Sequence, residues 1–214
     1  MVQGRRKRAR AAPLSLEREH WARGEWVAGV DEVGVGPLAG PVVAAAVVLR
    51  PDHGVRGARD SKALTPELRE TLFLEIQRTA VAIGIGAAST REIERYNIYR
   101  ATHLAMRRAL ARLSVEPAHV LVDGRPVPDL GWTHTAVVKG DAKCQSIACA
   151  SIVAKVVRDR LMHRLAPRYP GYGWEHNAGY STAEHMAALK TLGPTPHHRN
   201  TFTPVAQLDL ELGS

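Results

Sequence analysis

Four acidic residues stand where hydrophobic segments of this sequence end. Asp31 and Glu32 close the segment that begins at Trp26, Asp123 follows HVLV, and Asp141 comes shortly after TAVV. Open α/β sheets gather functional groups at the ends of their strands, and clustered carboxylates repel one another unless a cation neutralises them. Oxygen ligands favour a hard ion such as Mg²⁺ or Mn²⁺. The pattern indicates a two-ion site of the kind that cleaves phosphodiester bonds.

Each acid taken alone has a simpler structural explanation. Asp123 precedes Gly124 and is also typical of a turn. Asp141 stands before a long helical segment, where it is equally consistent with an N-cap that interacts with the helix dipole. The metal hypothesis therefore depends on all four acids meeting at one edge of a sheet.

Charge and composition narrow the class of partner. The 214 residues carry 29 Lys and Arg against 21 Asp and Glu, a net charge of +8 that suits a polyanion such as nucleic acid. Cys144 and Cys149 fall in one predicted helix, where their spacing rules out a sound disulfide and favours two buried thiols. We expect a cytoplasmic protein, because no segment resembles a membrane span or a signal peptide. For a chain of this size, a monomer is the default expectation. The basic run at 5–10 is typical of a solvated tail.

Hydrophobic periodicity predicts five strands and five helices. Thr65 and Pro66 form a typical helix start, an N-cap followed by proline. The predicted strands are 26–31, 41–49, 81–88, 119–122 and 135–138, and the predicted helices are 14–25, 65–80, 97–113, 142–165 and 182–192.

This order of elements predicts an α/β fold. Three early strands followed by strands that alternate with helices indicate a mixed five-stranded sheet flanked by helices. We divide the chain into a basic N-terminal tail with a lead-in helix (1–25), one catalytic domain with a small helical C-terminal part (26–204) and a C-terminal tail (205–214).

Several long motifs resemble the ribonuclease HII family. They occur in the family's order and span the chain from Val27 to about Pro204: GVDEVGVGPLAGPVVAAAVVL, DSKAL, LVDG, VVKGDAKCQSIACASIVAKVVRD, GYST and HHRNTF. The resemblance implies a ribonuclease H-like fold. It also implies cleavage of the RNA strand of RNA/DNA hybrids and cleavage 5′ to a single ribonucleotide in duplex DNA, with 3′-hydroxyl and 5′-phosphate products.

The resemblance assigns the catalytic site to four residues. The family's metal-binding carboxylates fall on Asp31, Glu32, Asp123 and Asp141, which would hold two Mg²⁺ or Mn²⁺ ions. Asp159 also belongs to a family motif, but it lies four residues beyond Lys155. We expect a helix-surface ion pair there instead.

The same resemblance assigns recognition of the ribose to a glycine-containing loop and a tyrosine. A glycine-arginine-glycine loop of the family matches Gly34, Val35 and Gly36, and a tyrosine that packs on the sugar matches Tyr180. Glycine lets backbone amides approach a 2′-hydroxyl closely. Val35 departs from the family's arginine, which removes any contribution from a guanidinium. The alternative to this ribose-binding role is that Tyr180 is simply an aromatic residue half-buried in a loop.

Basic residues supply the candidate phosphate contacts. Ser61 and Lys62 match a family motif near the substrate backbone, and Lys139 precedes Asp141. Four residues are as consistent with solvated surface charges as with phosphate contacts: Lys139, Lys155, Arg158 and Arg199. For His197 and His198 we expect a surface role, because an adjacent pair without a third ligand is weak evidence for a metal. The alternative is a loop histidine that acts near the leaving group.

Three functional hypotheses follow. The first is a metal-dependent endoribonuclease acting on RNA/DNA hybrids and on ribonucleotide-containing duplex DNA. The second is a nucleic-acid-binding homologue with weakened catalysis. The third is a nuclease that prefers hybrids and recognises single ribonucleotides poorly because of Val35.

Overall fold

The computed structural model, which describes residues 11–212, contains one mixed five-stranded sheet of order β3-β2-β1-β4-β5. β2 pairs antiparallel with both β1 and β3, whereas β4 runs parallel to β1 and to β5. The strands are Val27–Val33 (β1), Val42–Val48 (β2), Ala82–Ala88 (β3), His119–Asp123 (β4) and His134–Val137 (β5). The predicted α/β class and mixed sheet are confirmed.

Helices cover both faces of this sheet and extend beyond one end of it. They are Ser15–Trp21 (α1), Pro66–Thr79 (α2), Thr90–Leu110 (α3), Gly140–Lys143 (α4), Gln145–Leu165 (α5), Trp174–Asn177 (α6), Ala183–Leu192 (α7) and Thr203–Leu212 (α8). The predicted start of α2 is confirmed, since the Thr65 hydroxyl accepts a hydrogen bond from the Leu68 amide.

The core has two layers, one on each side of the sheet. On one face, α3 packs its small residues Ala101, Ala105 and Ala109 against the strands. On the other face, α2 and α5 pack against the alternate strand positions, such as Val43 and Val47. The β2 strand is buried along its whole length, because it pairs with a strand on each side and is covered by helices on both faces.

The helical C-terminal part packs on the end of α5. Trp174, Leu189 and Val205 form a third apolar cluster together with Leu38 and Ala39 of the loop that joins β1 to β2. The boundary that we expected after residue 204 falls inside α8, where Val205 is fully buried. This cluster holds the C-terminal segment against the loop that follows Asp31 and Glu32.

Two predicted helices have different boundaries in the structure. α3 begins at Thr90 rather than at residue 97, because Ser89 and Glu92 form a capping box that the sequence interpretation missed. Asn97 interrupts the helix with φ 63° and ψ 166°, and its side chain accepts a hydrogen bond from the Arg100 amide. The prediction at 97 therefore found the second segment of a kinked helix.

The predicted helix at 142–165 is two helices. Cys144 is extended (φ −141°, ψ 123°) and separates α4 from α5, so Asp141 lies within α4 and is not the N-cap of the long helix. Both cysteines are free and buried, as predicted.

The lead-in helix α1 is part of the folded body. Glu17 is fully buried, and its carboxylate accepts a hydrogen bond from the Ser146 amide in the first turn of α5 at 2.7 Å. The basic run at 5–10 lies outside the described residues. Among residues 11–212, no helix is both long enough and apolar enough to cross a membrane.

Close packing of α3 on the sheet requires glycine in β3. A Cβ atom at Gly84 would lie 2.0 Å from the Ala109 carbonyl oxygen, and one at Gly86 would lie 2.1 Å from that of Ala105. The GIG segment thus provides the groove into which the helix backbone fits.

We expect Gly86→Ala to lower the free energy of unfolding by about 1–3 kcal/mol, because the added methyl group overpacks the interface with α3. Gly36→Ala is the control, since its Cβ would meet no atom within 4 Å. Urea denaturation of both variants measures the difference. Equal stabilities would contradict this account of the interface.

Candidate active site

Parallel pairing brings the predicted acids to one edge of the sheet. The β1–β4 ladder ends with Val30 opposite Val122, so Asp31 and Asp123 follow side by side at the ends of these strands. After β5 the chain turns through Lys139, which has left-handed φ and ψ of 57° and 49°, into α4 with Asp141. The Gly140 amide donates a hydrogen bond of 2.6 Å to the Asp123 carboxylate, which fixes α4 against β4.

Asp31 and Glu32 are neighbours in sequence but face different layers of the fold. Asp31 is 7% exposed and accepts a hydrogen bond from Ser151 of α5. Glu32 lines a cleft beside α3, together with Tyr99 and Asp123. The alternation of a strand produces this separation, and the site therefore lies across the open end of the sheet.

A chain of hydroxyl groups supports Asp31 from behind. The Ser61 and Ser151 hydroxyls lie 2.9 Å apart, and Ser151 in turn bonds to Asp31. Ser61 is only 4% exposed, so its side chain faces the interior. The neighbouring Lys62 is exposed.

Mutual repulsion and burial raise the pKa values of three carboxyl groups. Burial, followed by the charges of Glu32 and Asp123, raises the pKa of Asp31 well above its usual range. Burial and the charge of Asp123 raise the pKa of Glu32 to about 7. Burial and the charges of Asp123 and Asp60 raise the pKa of Asp141. Asp123 thus interacts unfavourably with each of the other three acids.

A bound divalent cation would relieve this repulsion among the carboxylates. All four donors are carboxylates, which suit Mg²⁺ or Mn²⁺, and the ammonium group of Lys62 is a weak counter-charge to Glu32 and Asp141. Within the described chain, no three His, Cys, Asp or Glu side chains already have an arrangement that could hold a metal ion. The donor set fits the ion, and cation binding would require the side chains to turn towards one another.

The loop after Glu32 is held from inside by a buried arginine. Arg199 is fully buried and donates hydrogen bonds to the carbonyl oxygens of Gly34, Val35 and Gly40 at 2.5, 2.9 and 2.8 Å. Arg158 is equally buried and donates to the carbonyls of the loop's later residues and of Ala178. Burial lowers the pKa of Arg199 to about 9, so it remains a cation at neutral pH.

These inward carbonyls turn two amide donors outward. In a trans peptide the carbonyl oxygen and the following N–H point in opposite directions. Because the carbonyls of Gly34 and Val35 face Arg199, the N–H groups of Val35 and Gly36 face away from it, and both residues are exposed. Gly34 has φ +92°, and a Cβ there would lie 2.2 Å from Arg158 Nε, so only glycine fits. The loop presents backbone donors next to the carboxylates.

Tyr180 borders the same region. Its ring is 37% exposed, with Lys155 Nζ 5.9 Å and Arg158 Cζ 5.8 Å from the ring centroid. The neighbouring Gly179 carbonyl accepts a hydrogen bond from the Leu38 amide, which ties the tyrosine segment to the loop of Gly34–Gly36. Both parts of the predicted ribose site therefore pack against Arg158.

The remaining basic candidates have separate environments. Lys155 forms the expected ion pair with Asp159 at 2.7 Å, and Asp159 also meets Arg69 at 3.5 Å. This confirms the structural role predicted for Asp159. Lys139 is exposed beside Gly140, where it is free to approach a phosphate.

Sequence reasoning misplaced three residues that the fold buries. The sequence predicts surface or phosphate-binding charges for Arg158 and Arg199 and a surface position for His198, but all three residues are at most 1% exposed. Their carbonyl and imidazole partners are distant in sequence, so burial was not visible locally. The signal available in the sequence was their place in the VVRD and HHRNTF motifs. Ser151 was also missed.

Two clefts open from the site on different sides. One, of about 290 Å³, runs from Glu32 and Asp123 past Val35 to Tyr99 and Arg125. The other, of about 800 Å³, runs from Tyr180 along the basic side of α5, past Lys155, Arg160 and Arg164. Basic residues outnumber acidic ones in the lining of the larger cleft, which suits a polyanion. The smaller cleft combines Arg125 with the acids Glu32 and Asp123.

We expect Glu32→Gln to stabilise the protein in chelator at pH 8. The pKa of Glu32 rises from its usual 4.5 to about 7 on folding, so its favourable contribution is present below about pH 4.5 and is lost as the pH rises through about 7. The gain at pH 8 should be roughly 1–3 kcal/mol. Thermal melting in chelator at pH 5 and pH 8 measures it.

Two further melts sharpen this prediction. Adding Mg²⁺ or Mn²⁺ at pH 8 should raise the melting temperature of the wild type more than that of Glu32→Gln. The exposed Glu19→Gln is the charge-matched control. A lower melting temperature for Glu32→Gln than for the wild type in chelator at pH 8 would refute the repulsion that we infer.

Comparisons with known proteins identify the family. The family model for ribonuclease HII matches residues 28–205. The chain is 50% identical over 195 residues to the ribonuclease HII of Lactobacillus delbrueckii subsp. bulgaricus, covering 91% of this chain and 76% of the relative. It is 58% identical over 180 residues to that of Cereibacter sphaeroides, covering 84% of each chain.

Solved structures agree with this result. The ribonuclease H2 of Pyrococcus horikoshii OT3 superposes with a TM-score of 0.74 at 28% identity, covering 88% of this chain and 99% of that one. Bst RNase HIII in complex with Mn²⁺ gives a TM-score of 0.71 at 20% identity, covering 89% of this chain and 70% of that one, which shows the shared fold. The chain therefore belongs to the ribonuclease HII family and is a ribonuclease H, a hydrolase with a ribonuclease H-like fold.

Proposed function

We propose that this protein is a divalent-metal-dependent endoribonuclease. It cleaves the RNA strand of RNA/DNA hybrids and cuts 5′ to single ribonucleotides embedded in duplex DNA, leaving 3′-hydroxyl and 5′-phosphate ends. The observation that carries this proposal is the placement of two outward amides, those of Val35 and Gly36, directly after the carboxylates of Asp31 and Glu32. Chemistry and 2′-hydroxyl recognition would then occupy the end of β1 and the loop that follows it.

Four carboxylates would hold the ions, Asp31, Glu32, Asp123 and Asp141. Two bound Mg²⁺ or Mn²⁺ ions would supply activation of the attacking water and charge stabilisation of the departing 3′-oxygen. The structure determined for Bst RNase HIII contains Mn²⁺, which is consistent with this assignment. Because the ions would activate water as the nucleophile, the reaction needs no covalent intermediate with the enzyme.

The protein's own groups orient the substrate around this centre. The exposed Lys62 and Lys139 are placed to neutralise phosphates beside the carboxylates. The amides of Val35 and Gly36 donate to the 2′-hydroxyl. The Tyr180 ring packs on the sugar, and the larger cleft, with Lys155 and Arg164 in its lining, holds the flanking duplex. Contacts on both sides would then position the scissile phosphate.

Asp123→Asn should abolish cleavage while preserving the fold and duplex binding. The Asn side chain retains an oxygen that accepts the Gly140 amide but loses the negative charge, so we expect a loss of about 10²–10³-fold or more in kcat. Cleavage assays, circular dichroism and duplex binding measure the three properties.

Asp52→Asn is the matched control for that variant. Asp52 is exposed and has φ 58°, a conformation that asparagine tolerates. Wild-type turnover by Asp123→Asn would overturn the proposed role of this carboxylate.

One set of assays separates the three functional hypotheses. A duplex with one ribonucleotide, a full RNA/DNA hybrid and an all-DNA duplex are compared in Mg²⁺, in Mn²⁺ and in chelator. Metal-dependent cleavage of the first two supports the proposal. Cleavage of the hybrid alone supports a shifted preference, and binding without any cleavage supports a weakened homologue.

Val35→Arg should modestly improve cleavage at single ribonucleotides. The Val35 side chain is 40% exposed and lines the cleft next to Glu32, so an arginine there could reach a phosphate. An exposed charge pair corresponds to a gain of about two- to fivefold in kcat/KM.

Leu192→Arg adds the same charge at an exposed position outside the loop. It controls for a general increase in affinity for polyanions. No change, or a loss, in Val35→Arg relative to this control would refute the prediction.

A further inference from the structure

Two histidines lie buried beneath Tyr180 and belong to none of the groups described above. His185 and His198 are at most 1% exposed, and their Nε2 atoms lie 3.0 Å apart. The rings of Tyr172 and Trp174 pack around both. Buried imidazoles need hydrogen-bond partners, and here each ring nitrogen has at least one. The Thr195 hydroxyl is a second partner of His198 Nδ1, at 2.9 Å.

Donors of fixed direction determine where both histidines carry their protons. The Thr195 amide donates to His198 Nδ1 at 2.8 Å, so a neutral His198 is protonated at Nε2. The Trp174 indole N–H can only donate, and it contacts His185 Nε2 at 3.2 Å. His185 therefore accepts at Nε2 and is protonated at Nδ1. Its Nδ1–H donates to the Tyr180 carbonyl oxygen at 2.9 Å.

These bonds form one directed relay. The Thr195 amide donates to His198 Nδ1, and His198 Nε2–H donates to His185 Nε2, which the Trp174 indole N–H also contacts. His185 Nδ1–H in turn donates to the Tyr180 carbonyl oxygen. The relay requires both imidazoles to be neutral, since a proton on His198 Nδ1 would oppose the Thr195 amide and a proton on His185 Nε2 would oppose the indole. Burial lowers the pKa of both histidines, that of His198 to about 4.

The segment that carries His198 also holds the other half of the predicted ribose site. The His198 backbone bridges Ala39, and the His197 carbonyl accepts a hydrogen bond from the Gly40 amide. Arg199, the next residue, binds the carbonyls behind the two outward amides. Three consecutive residues thus connect the amide-bearing loop to Tyr180.

We propose that His185 and His198 are positioning residues that fix Tyr180 relative to the amides of Val35 and Gly36 and so set discrimination for a ribonucleotide in duplex DNA. The inference rests on the proposed function of Tyr180 and of the loop. It assigns no contact between either histidine and the nucleic acid. A role in packing alone would require only bulk and apolarity, whereas the relay requires a donor at one defined atom.

The first experiment observes the relay directly. Long-range ¹H–¹⁵N spectra of the histidine side chains at pH 7.5 report which ring nitrogen is protonated, and His185→Asn and His198→Gln assign the signals. We expect neutral rings, with the proton of His198 on Nε2 and that of His185 on Nδ1. A charged ring, or the opposite tautomer for either residue, would overturn the proposal.

The second experiment separates positioning from packing by two substitutions of His185. Asparagine can place a side-chain N–H near the position of Nδ1, but it is smaller and leaves a cavity. Leucine fills the space but cannot donate to Tyr180. If His185 acts only by packing, leucine should preserve both stability and discrimination better than asparagine. If His185 positions Tyr180, asparagine should preserve discrimination better, even if the asparagine variant is no more stable than the leucine variant.

Discrimination is measured as binding, so that it does not depend on catalysis. The dissociation constant for an all-DNA duplex is divided by that for the same duplex with one ribonucleotide, in chelator. We expect His185→Leu to lower this ratio about tenfold, as for loss of one hydrogen bond, and His185→Asn to remain within about threefold of the wild type. The exposed His53→Leu should leave it unchanged.

A double variant tests whether the effect passes through Tyr180. In a Tyr180→Ala background, His185→Leu should change the ratio less than about twofold, because the group that the relay positions is gone. Independent effects in the double variant would overturn the proposal, as would equal affinity of the wild type for the two duplexes. A wild type that discriminates in binding but does not cleave would refute the proposed nuclease function and leave this inference standing.

Discussion

The site depends on burying two guanidinium groups against main-chain carbonyls. Arg158 and Arg199 are fully enclosed, and none of the ion pairs formed among residues 11–212 includes either of them. A buried charge is costly unless its donors are satisfied. The loop at 34–41 satisfies them by turning five carbonyls inward, and its outward amides are a direct consequence. Removing Arg199 would leave the carbonyls of Gly34, Val35 and Gly40 without this donor, and removing Arg158 would do the same to those of Ala39 and Pro41. Either change would free part of the loop to reorient.

The second constraint is the cluster of four carboxylates, which lowers the stability of the metal-free protein. The fold places four carboxylates at the open end of three parallel strands, where burial and repulsion raise the pKa values of Asp31, Glu32 and Asp141. Such an arrangement weakens the metal-free protein. It persists because the strand pairings, the Gly140 contact to Asp123 and the hydroxyl chain behind Asp31 hold the acids in place. Strain concentrated in this way is typical of functional sites.

Sequence reasoning succeeded where the deciding interactions are local or periodic. The apolar β2 strand, the capped start of α2 and the alternation of later strands and helices were sufficient for the α/β class and the mixed sheet. It failed at α3 and at Cys144. A capping box at Ser89 and a reversal at Asn97 compete with simple periodicity in the first case, and one extended residue divides two helices in the second.

The sequence by itself determined the chemical inventory: four acids that follow hydrophobic segments, a glycine-rich loop with Val35 in place of arginine, and a tyrosine in a loop. Only the tertiary structure decided how these groups are presented. The orientation of the loop amides depends on Arg199, which lies more than 160 residues further along the chain. The position of Tyr180 depends on imidazoles whose protonation is set by Thr195 and Trp174. Burial and hydrogen-bond direction arise from partners distant in sequence, and no local pattern of residues encodes them.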